Sequence, residues 1–161
     1  MSDARAIAQS TVPRFVPILN TVVRRLRGAG LPFGPNVLLT VRGRKSGLDR
    51  TFPVALMETG GRLYVQSPYG EVNWVRNLRA SGEAVLTRER RRIPVSAVEL
   101  EPAVGGRVIR DGVAPYLRRR LTAAFIHVFV PVRRDATVEE YVEHVRRHPV
   151  FELRRMTDAG R

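Results

Sequence analysis

The chain has 161 residues, of which 43% are apolar, a size and composition typical of one globular domain. It contains no cysteine, which excludes disulfides, thiolate catalysis and metal centres held by cysteine. Its formal net charge is +13, and all but one of its 28 basic residues are arginine, the exception being Lys45. This charge favours an anionic partner, and nucleic acid, a membrane surface and a small polyanion all remain candidates.

The first predicted element is a basic amphipathic helix at residues 14–27, with apolar residues at helical spacing on one face and arginines on the other. Such a face usually packs against its own domain. The alternative is peripheral contact with the inner face of the plasma membrane. We predict that residues 1–30 extend a single domain covering residues 1–161. The lack of a long apolar run and of a signal-peptide pattern predicts a cytoplasmic protein without a membrane-spanning helix.

Short runs of β-forming residues, separated by glycine turns, follow this helix. The predicted strands cover residues 36–41, 50–57, 62–67, 84–87, 93–100 and 150–153. Helices are predicted at residues 73–80, at 102–124 with interruptions at Gly112 and Pro115, and at 137–145, the last beginning with a capping box at Thr137. Pro53 inside the second strand indicates a bulge or an edge position. Five to six mainly antiparallel strands with flanking helices predict an α+β fold built on a small barrel rather than a doubly wound parallel sheet.

The turn between the first two predicted strands gathers several groups that bind anions. Its sequence is Gly43-Arg44-Lys45-Ser46-Gly47. Consecutive backbone amides in a tight turn form a concave anion site, to which the hydroxyl and the two cations add. The lysine supplies a compact point charge that suits a phosphate. The alternative is a hairpin turn with solvated charges. The pattern is not a nucleotide P-loop, which needs a further glycine upstream and a helix directly after it.

This turn belongs to a longer set of motifs. It is followed by Arg50, by Pro53 and by the segment Asn73-Trp74-Val75-Arg76-Asn77-Leu78. The order and spacing of these motifs resemble the deazaflavin-dependent nitroreductase family, actinobacterial enzymes that bind coenzyme F420, an 8-hydroxy-5-deazaflavin. The resemblance is close over residues 36–100, and the ending His148-Pro149-Val150-Phe151 also looks like that of family members.

The resemblance implies a split β-barrel that holds the deazaflavin in a groove beside the sheet. The residues that correspond to its phosphate contacts are Arg44, Lys45, Ser46 and Gly47, with Arg50 nearby. Those that correspond to its ring contacts are the backbone of Pro53 and Val54, then Ser67, the loop Pro68-Tyr69-Gly70, and Trp74 and Asn77 on the helix. Trp74 fits a role as a core anchor equally well. Candidates for contact with the cofactor's oligoglutamate tail are Arg76 and Arg79.

The same resemblance implies that the cofactor performs the hydride chemistry while the protein binds and orients it. The electron acceptor would be a small molecule: a quinone, a nitro compound or an activated olefin. Ser67 is the candidate donor that positions this acceptor. Ala55 stands where characterised members have a tyrosine, so we expect the C-terminal half to build a different acceptor pocket. Its aromatic residues are Tyr116, Phe125, Phe129 and Tyr141.

Two other classes of function stay open. A module of the same fold could bind FMN or a lipid anion at a membrane without reductase activity. A role in nucleic-acid binding rests on charge alone, because aromatic residues make up 7% of the chain and no such motif is present, so no nucleic-acid partner is predicted. The three histidines match no metal-binding spacing, and no metal site is predicted. The sequence leaves open whether the protein forms a homodimer.

Overall fold

The computed structural model describes residues 34–117, 127, 130–133 and 135–156. The predicted amphipathic helix at residues 14–27 lies outside this part of the chain, as do Phe125 and Phe129. None of the helices in the described part is long and apolar enough to cross a membrane.

The described elements follow the predicted order, and every strand except the third is longer than predicted. They are β1 (Gly34–Arg42), β2 (Asp49–Thr59), β3 (Arg62–Gln66), α1 (Asn73–Ser81), β4 (Glu83–Arg88), β5 (Arg91–Glu99), α2 (Pro102–Leu117), α3 (Val138–Arg147) and β6 (Val150–Arg155). The interruption predicted at Gly112 and Pro115 is wrong, because α2 continues through both residues to Leu117. The capping box predicted at Thr137 is present: its side chain accepts from the Glu140 amide, and the Glu140 carboxylate accepts from the Thr137 amide.

The six strands form a closed barrel in the order β1-β2-β3-β6-β5-β4, and every neighbouring pair is antiparallel. The predicted α+β barrel is therefore confirmed. β2 pairs with β1 from Asp49 to Val54 but with β3 only from Leu56 onward. Pro53 consequently has a strand on one side only, which suits a residue without a backbone donor. The irregular register lies instead in β1, between Gly34 and Val37.

Two apolar clusters lie on opposite sides of the barrel wall, because successive strand residues face opposite ways. The inner cluster fills the barrel and includes Leu39, Leu56, Val65 and Phe151. The outer cluster lies between the outer face of β2 and β3 and the helices α2 and α3. Its buried members are Met57, Tyr64, Ile109, Val113, Val130, Val132, Tyr141, Val145 and Val150.

Helix α2 can approach α3 closely because it carries glycine at the contact. A Cβ atom on Gly106 would lie 2.8 Å from the Val142 backbone nitrogen and 3.0 Å from its Cα. A Cβ on Gly112 would likewise collide with the Met57 thioether on β2. These two glycines therefore set how near α2 lies to α3 and to the barrel.

Replacing Gly106 by alanine is expected to destabilise the protein by about 1–3 kcal/mol, since the added methyl meets backbone that cannot move alone. In open space the same change in a helix would stabilise by about 0.5–1 kcal/mol. Urea unfolding of the variant measures the difference. Val104→Ala, at an exposed site of α2, is the control and should lie within about 0.5 kcal/mol of the parent. A Gly106→Ala protein as stable as its parent would contradict this packing.

Candidate functional site

The turn between β1 and β2, residues 43–48, is shaped by its two glycines. The Gly43 amide donates to the Leu48 carbonyl at 2.8 Å, and the Gly47 amide donates to the Gly43 carbonyl at 2.8 Å. Gly47 has a φ of 67°, which a side chain would strain. A Cβ on Gly43 would lie 2.8 Å from the Ser46 hydroxyl oxygen. The pattern Gly-x-x-x-Gly thus closes a compact turn with three residues exposed between the glycines.

This β1–β2 turn offers donors that no described residue uses. The backbone amides of Lys45 and Ser46 have no acceptor within the described part of the chain. The Ser46 hydroxyl oxygen accepts from the Leu48 amide at 3.3 Å, which leaves its proton to donate outward. Arg44, Lys45 and Arg50 are exposed and form no ion pair with a described carboxylate. Amides, a hydroxyl and unpaired cations around one turn fit a phosphate group.

Asn77 anchors this turn from helix α1. Its side chain is buried, and its Oδ1 accepts from Arg44 Nη1 at 2.8 Å and from the Arg44 backbone amide at 3.3 Å. Asparagine is a poor residue for a helix interior, and here the cost is offset by two bonds to another element. The structure therefore places Asn77 beneath the phosphate-binding candidates, where it orients Arg44.

Replacing Asn77 by alanine is expected to lower the free energy of unfolding by about 1–3 kcal/mol, because Arg44 loses a charge-assisted bond and a buried cavity forms. Asn77→Asp keeps the acceptor oxygen opposite the guanidinium and should retain most of the stability. Thermal and urea unfolding distinguish the two variants. Equal losses in both would mean that the Asn77–Arg44 bond contributes nothing.

The outer face of β1 and β2 continues from the turn toward the middle of the sheet. Thr40 and Thr51 face each other there, with their hydroxyl oxygens 2.9 Å apart. Leu38 and Pro53 follow, both exposed, on facing positions. Val54 is buried in the barrel, so only its backbone reaches this face. A flat ligand bound at the turn would lie along this row.

The loop after β3 is built around Ser67. This residue is fully buried; its hydroxyl donates to the Gly70 carbonyl at 2.6 Å and its amide donates to the Pro149 carbonyl at 3.0 Å. Gly70 has a φ of 71°. Tyr69 is exposed, and Pro68 is half-buried. Ser67 fixes this loop, and it could contact an acceptor only if its bond to Gly70 opened.

Other predicted contacts are engaged elsewhere in the described structure. Trp74 is buried in the barrel core with its ring 6.1 Å from that of Phe151, in agreement with the core-anchor interpretation. Arg79 donates to Glu99 at 2.6 and 2.8 Å and to Glu71 at 2.8 Å, and these carboxylates raise its pKa. Its charge is therefore neutralised within the protein. No cluster of three potential metal ligands occurs among the described residues.

An apolar hollow lies just beyond Pro53, on the outer face of β2 and β3. Its lining residues are Ala55, Met57, Tyr64, Val65, Gln66, Pro68 and Ile109. Sequence reasoning missed Gln66 and its partner His144, whose Nε2 atom lies 2.5 Å from Gln66 Nε2. Strand alternation places Gln66 on the outer face, but nothing local to β3 signals a helix residue 78 positions later in the chain.

Burial decides the charge state of His144. Desolvation in its buried position, together with the smaller effects of nearby His148 and Arg147, lowers its pKa to about 4. The His148 ring stacks on it with centroids 4.2 Å apart, and His148 Nδ1 lies 2.9 Å from the His144 carbonyl. His144 is therefore neutral near pH 7, and its Nε2 can accept a hydrogen bond. Of the predicted C-terminal pocket, Tyr141 is buried beside the hollow in the outer cluster.

Comparison with known proteins places this site in context. A model of the F420H(2)-dependent quinone reductase family matches residues 17–116. A solved F420-H2-dependent reductase is 21% identical over 74% of this chain and 94% of that chain, with a TM-score of 0.43. A proposed 5-nitroimidazole antibiotic resistance protein from Bacteroides thetaiotaomicron is 10% identical over 83% of this chain and 80% of that one, with a TM-score of 0.51. A structure described as a domain-swapped dimer is 18% identical over 86% of this chain and 98% of that chain, with a TM-score of 0.43. No curated protein matches.

The matched segment covers more than half of the chain and contains the β1–β2 turn, the outer face of β2 and helix α1. It confirms the resemblance to deazaflavin-binding reductases that the motifs indicate. The chain therefore belongs to the F420H(2)-dependent quinone reductase family, and it is an F420-dependent oxidoreductase.

Proposed function

We propose that this protein reduces a quinone with reduced F420, binding the cofactor along the outer face of β1 and β2. The observation that carries the proposal is the β1–β2 turn, where the amides of Lys45 and Ser46 have no acceptor and the cations have no carboxylate partner among the described residues. The turn leads directly onto an exposed strand face that ends at an apolar hollow. When bound, reduced F420 supplies a hydride to an electrophilic acceptor. The protein binds and orients the cofactor and the acceptor, and it excludes water from them.

The phosphate of the cofactor is assigned to the turn. Lys45 and Ser46 supply backbone amides, and Lys45 and Arg44 supply positive charge, while Gly47 gives the turn its left-handed residue. Arg50, exposed at the start of β2, adds a further cation. This set matches the charge of a phosphodiester, and the high net charge of the chain favours a cofactor with a glutamate tail.

The ring of the cofactor is assigned to the row beyond the turn. The Pro53 side chain and the backbone of Val54 would form its bed, since Pro53 is exposed and this part of β2 has a described strand, β1, on one side only. The loop with Pro68, Tyr69 and Gly70 would cover it, held in shape by Ser67. Trp74 would support this arrangement from the core rather than touch the ring.

The hollow favours a quinone among the possible acceptors. Ala55 is half-buried there, and the buried side chains of Met57 and Ile109 make the lining apolar. The hollow is too small to enclose an acceptor ring, but an aromatic ring packed over its mouth would bury apolar area there. Nitro compounds and activated olefins are the other acceptor classes that the resemblance implies.

The direct test is a titration of the purified protein with oxidised F420, followed by turnover of reduced F420 with menadione and with a nitroimidazole. We expect F420 fluorescence to change at micromolar protein and menadione to be reduced faster than the nitro compound. No binding of F420 would refute the cofactor assignment. Tight binding of FMN in its place, or binding to anionic vesicles that depends on residues 14–27, would favour the alternative of a flavin or lipid-anion module.

We also propose that the whole chain forms one domain that works in the cytoplasm, where reduced cofactor is available. Support for the single domain comes from the barrel, whose last strand, β6, pairs with β3 and β5 and so joins both ends of the described chain into one core. Homodimer formation remains a prediction, and sedimentation velocity measures it.

A further inference from the structure

The end of the barrel opposite the β1–β2 turn is rich in arginine. The antiparallel register brings together here the start of β1, the β2–β3 and β4–β5 turns and the end of β6. Seven exposed arginines lie at this end, at positions 62, 88, 90–92, 154 and 155. Three carboxylates accompany them, those of Glu58, Glu89 and Glu152. We call this surface the arginine end.

Carboxylates neutralise only part of this charge. Glu152 pairs with two of the arginines, at 3.0 and 3.6 Å, and Glu58 pairs with Arg88 at 3.7 Å. The arginines at positions 90–92 and 155 form no ion pair with a described carboxylate. Outside the described part, the sequence holds ten further arginines but only two acidic side chains, Asp3 and Asp158. The arginine end therefore stays positively charged wherever those residues lie.

Three of the arginines surround the end of the barrel itself. Arg88 on β4, Arg91 on β5 and Arg155 on β6 each lie two residues beyond an inward-facing apolar residue of the same strand. These strands are neighbours, so the three side chains start from one side of the barrel rim. The β4–β5 turn adds Arg90, whose φ of 67° is one that such turns usually give to glycine or asparagine. Like charges this close repel one another, and an anionic surface would relieve that repulsion.

This end is remote from the site assigned to the cofactor's phosphate. Strand β1 runs from Gly34 at the arginine end to Arg42 at the β1–β2 turn, a length of about 25 Å. The apolar hollow lies between the two. Met57 and Ala55 come two and four residues before the end of β2, about 7 and 13 Å from it. The hollow is therefore nearer to the arginine end than to the turn.

We propose that the arginine end docks on the anionic headgroups of a lipid membrane. The choice of a membrane over another polyanion rests on the proposed function, because apolar quinones concentrate in lipid. Docking in this orientation brings the hollow close to the bilayer and leaves the phosphate turn in water. The chain also enters β1 at this end, six residues after the predicted amphipathic helix at residues 14–27. The apolar side chains of that helix could enter the same membrane.

The test measures sedimentation of the full chain with vesicles of phosphatidylcholine and phosphatidylglycerol in equal parts, and with vesicles of phosphatidylcholine alone. We expect binding to the anionic vesicles and weaker binding to the neutral ones. Arg91→Ala with Arg155→Ala should weaken the anionic binding about 30-fold, since each arginine near such a surface contributes about fivefold. The control, Arg107→Ala with Arg146→Ala, removes the same charge from α2 and α3 and should weaken it less than about threefold.

No binding of the parent to anionic vesicles, or equal losses in the two double variants, would overturn the docking proposal. The proposed function is judged separately, by the oxidation of reduced F420 with menadione in the absence of vesicles. Tighter binding to duplex DNA than to the vesicles, lost in Arg91→Ala with Arg155→Ala, would make the partner a nucleic acid and the proposal wrong. If that variant unfolds, Arg90→Gly with Arg92→Ala in the β4–β5 hairpin replaces it, with the same expected loss.

Discussion

Removing both cations of the β1–β2 turn, in the variant Arg44→Ala with Lys45→Ala, is expected to weaken F420 binding by about 100- to 1000-fold. Each charge-assisted bond to a phosphate contributes about 1.5–3 kcal/mol, and exposure of both side chains places them near the lower end of that range. Two such bonds give about 3–4 kcal/mol, which converts to that loss of affinity. Titration of F420 fluorescence measures it.

The control removes the same charge elsewhere. Arg107→Ala with Arg155→Ala takes away two exposed arginines from α2 and β6, outside the proposed cofactor face. We expect this control to lower affinity only slightly, and the difference to shrink at high salt because long-range attraction is screened. If both double variants weaken binding equally, net charge rather than the turn explains cofactor affinity, and the phosphate assignment is wrong.

Acidification is expected to destabilise the protein by about 3 kcal/mol through His144 alone, between about pH 7.5 and pH 4. Burial lowers the pKa of His144 to about 4, below the value of 6.5 that an unfolded chain has. Above the unfolded pKa the imidazole is neutral in both states, so its titration does not lower the free energy of unfolding. As the pH falls below 6.5, the imidazole is protonated in the unfolded chain but not in the folded protein. The free energy of unfolding therefore decreases until the pH reaches the pKa of the folded state.

Urea unfolding at a series of pH values measures this loss against His144→Gln, which cannot be protonated and can still bond Gln66. The surrounding groups are Arg147 at the end of α3, His148 directly after it, and the neutral Gln66 on β3. Exposed carboxylates such as Glu143, whose pKa is lowered by Arg147, titrate in both proteins and cancel in the comparison. Parallel pH curves for parent and variant would show that His144 is not kept neutral by the fold.

Much of the fold follows from patterns that are local in the sequence. Alternation of apolar residues in Val37, Leu39 and Val41 predicts the inner face of β1, and Thr137 with Glu140 predicts the start of α3. The barrel class is equally readable, because short strands separated by glycine turns pair as hairpins. The pairing of β6 with β3 and β5, which closes the barrel, is harder to predict from the sequence, since these strands join residues far apart in the chain.

The candidate site divides in the same way. The sequence by itself determined the β1–β2 turn, because two glycines fix its backbone and its cations need no distant partner to be exposed. The tertiary structure decided which polar groups remain available: it commits the Ser67 hydroxyl to Gly70 and turns Asn77 beneath Arg44. It also brings His144 onto Gln66. Hydrogen-bond partners and burial arise only when separate elements pack together, so motif spacing predicts which residues gather at a site but not what each of them does there.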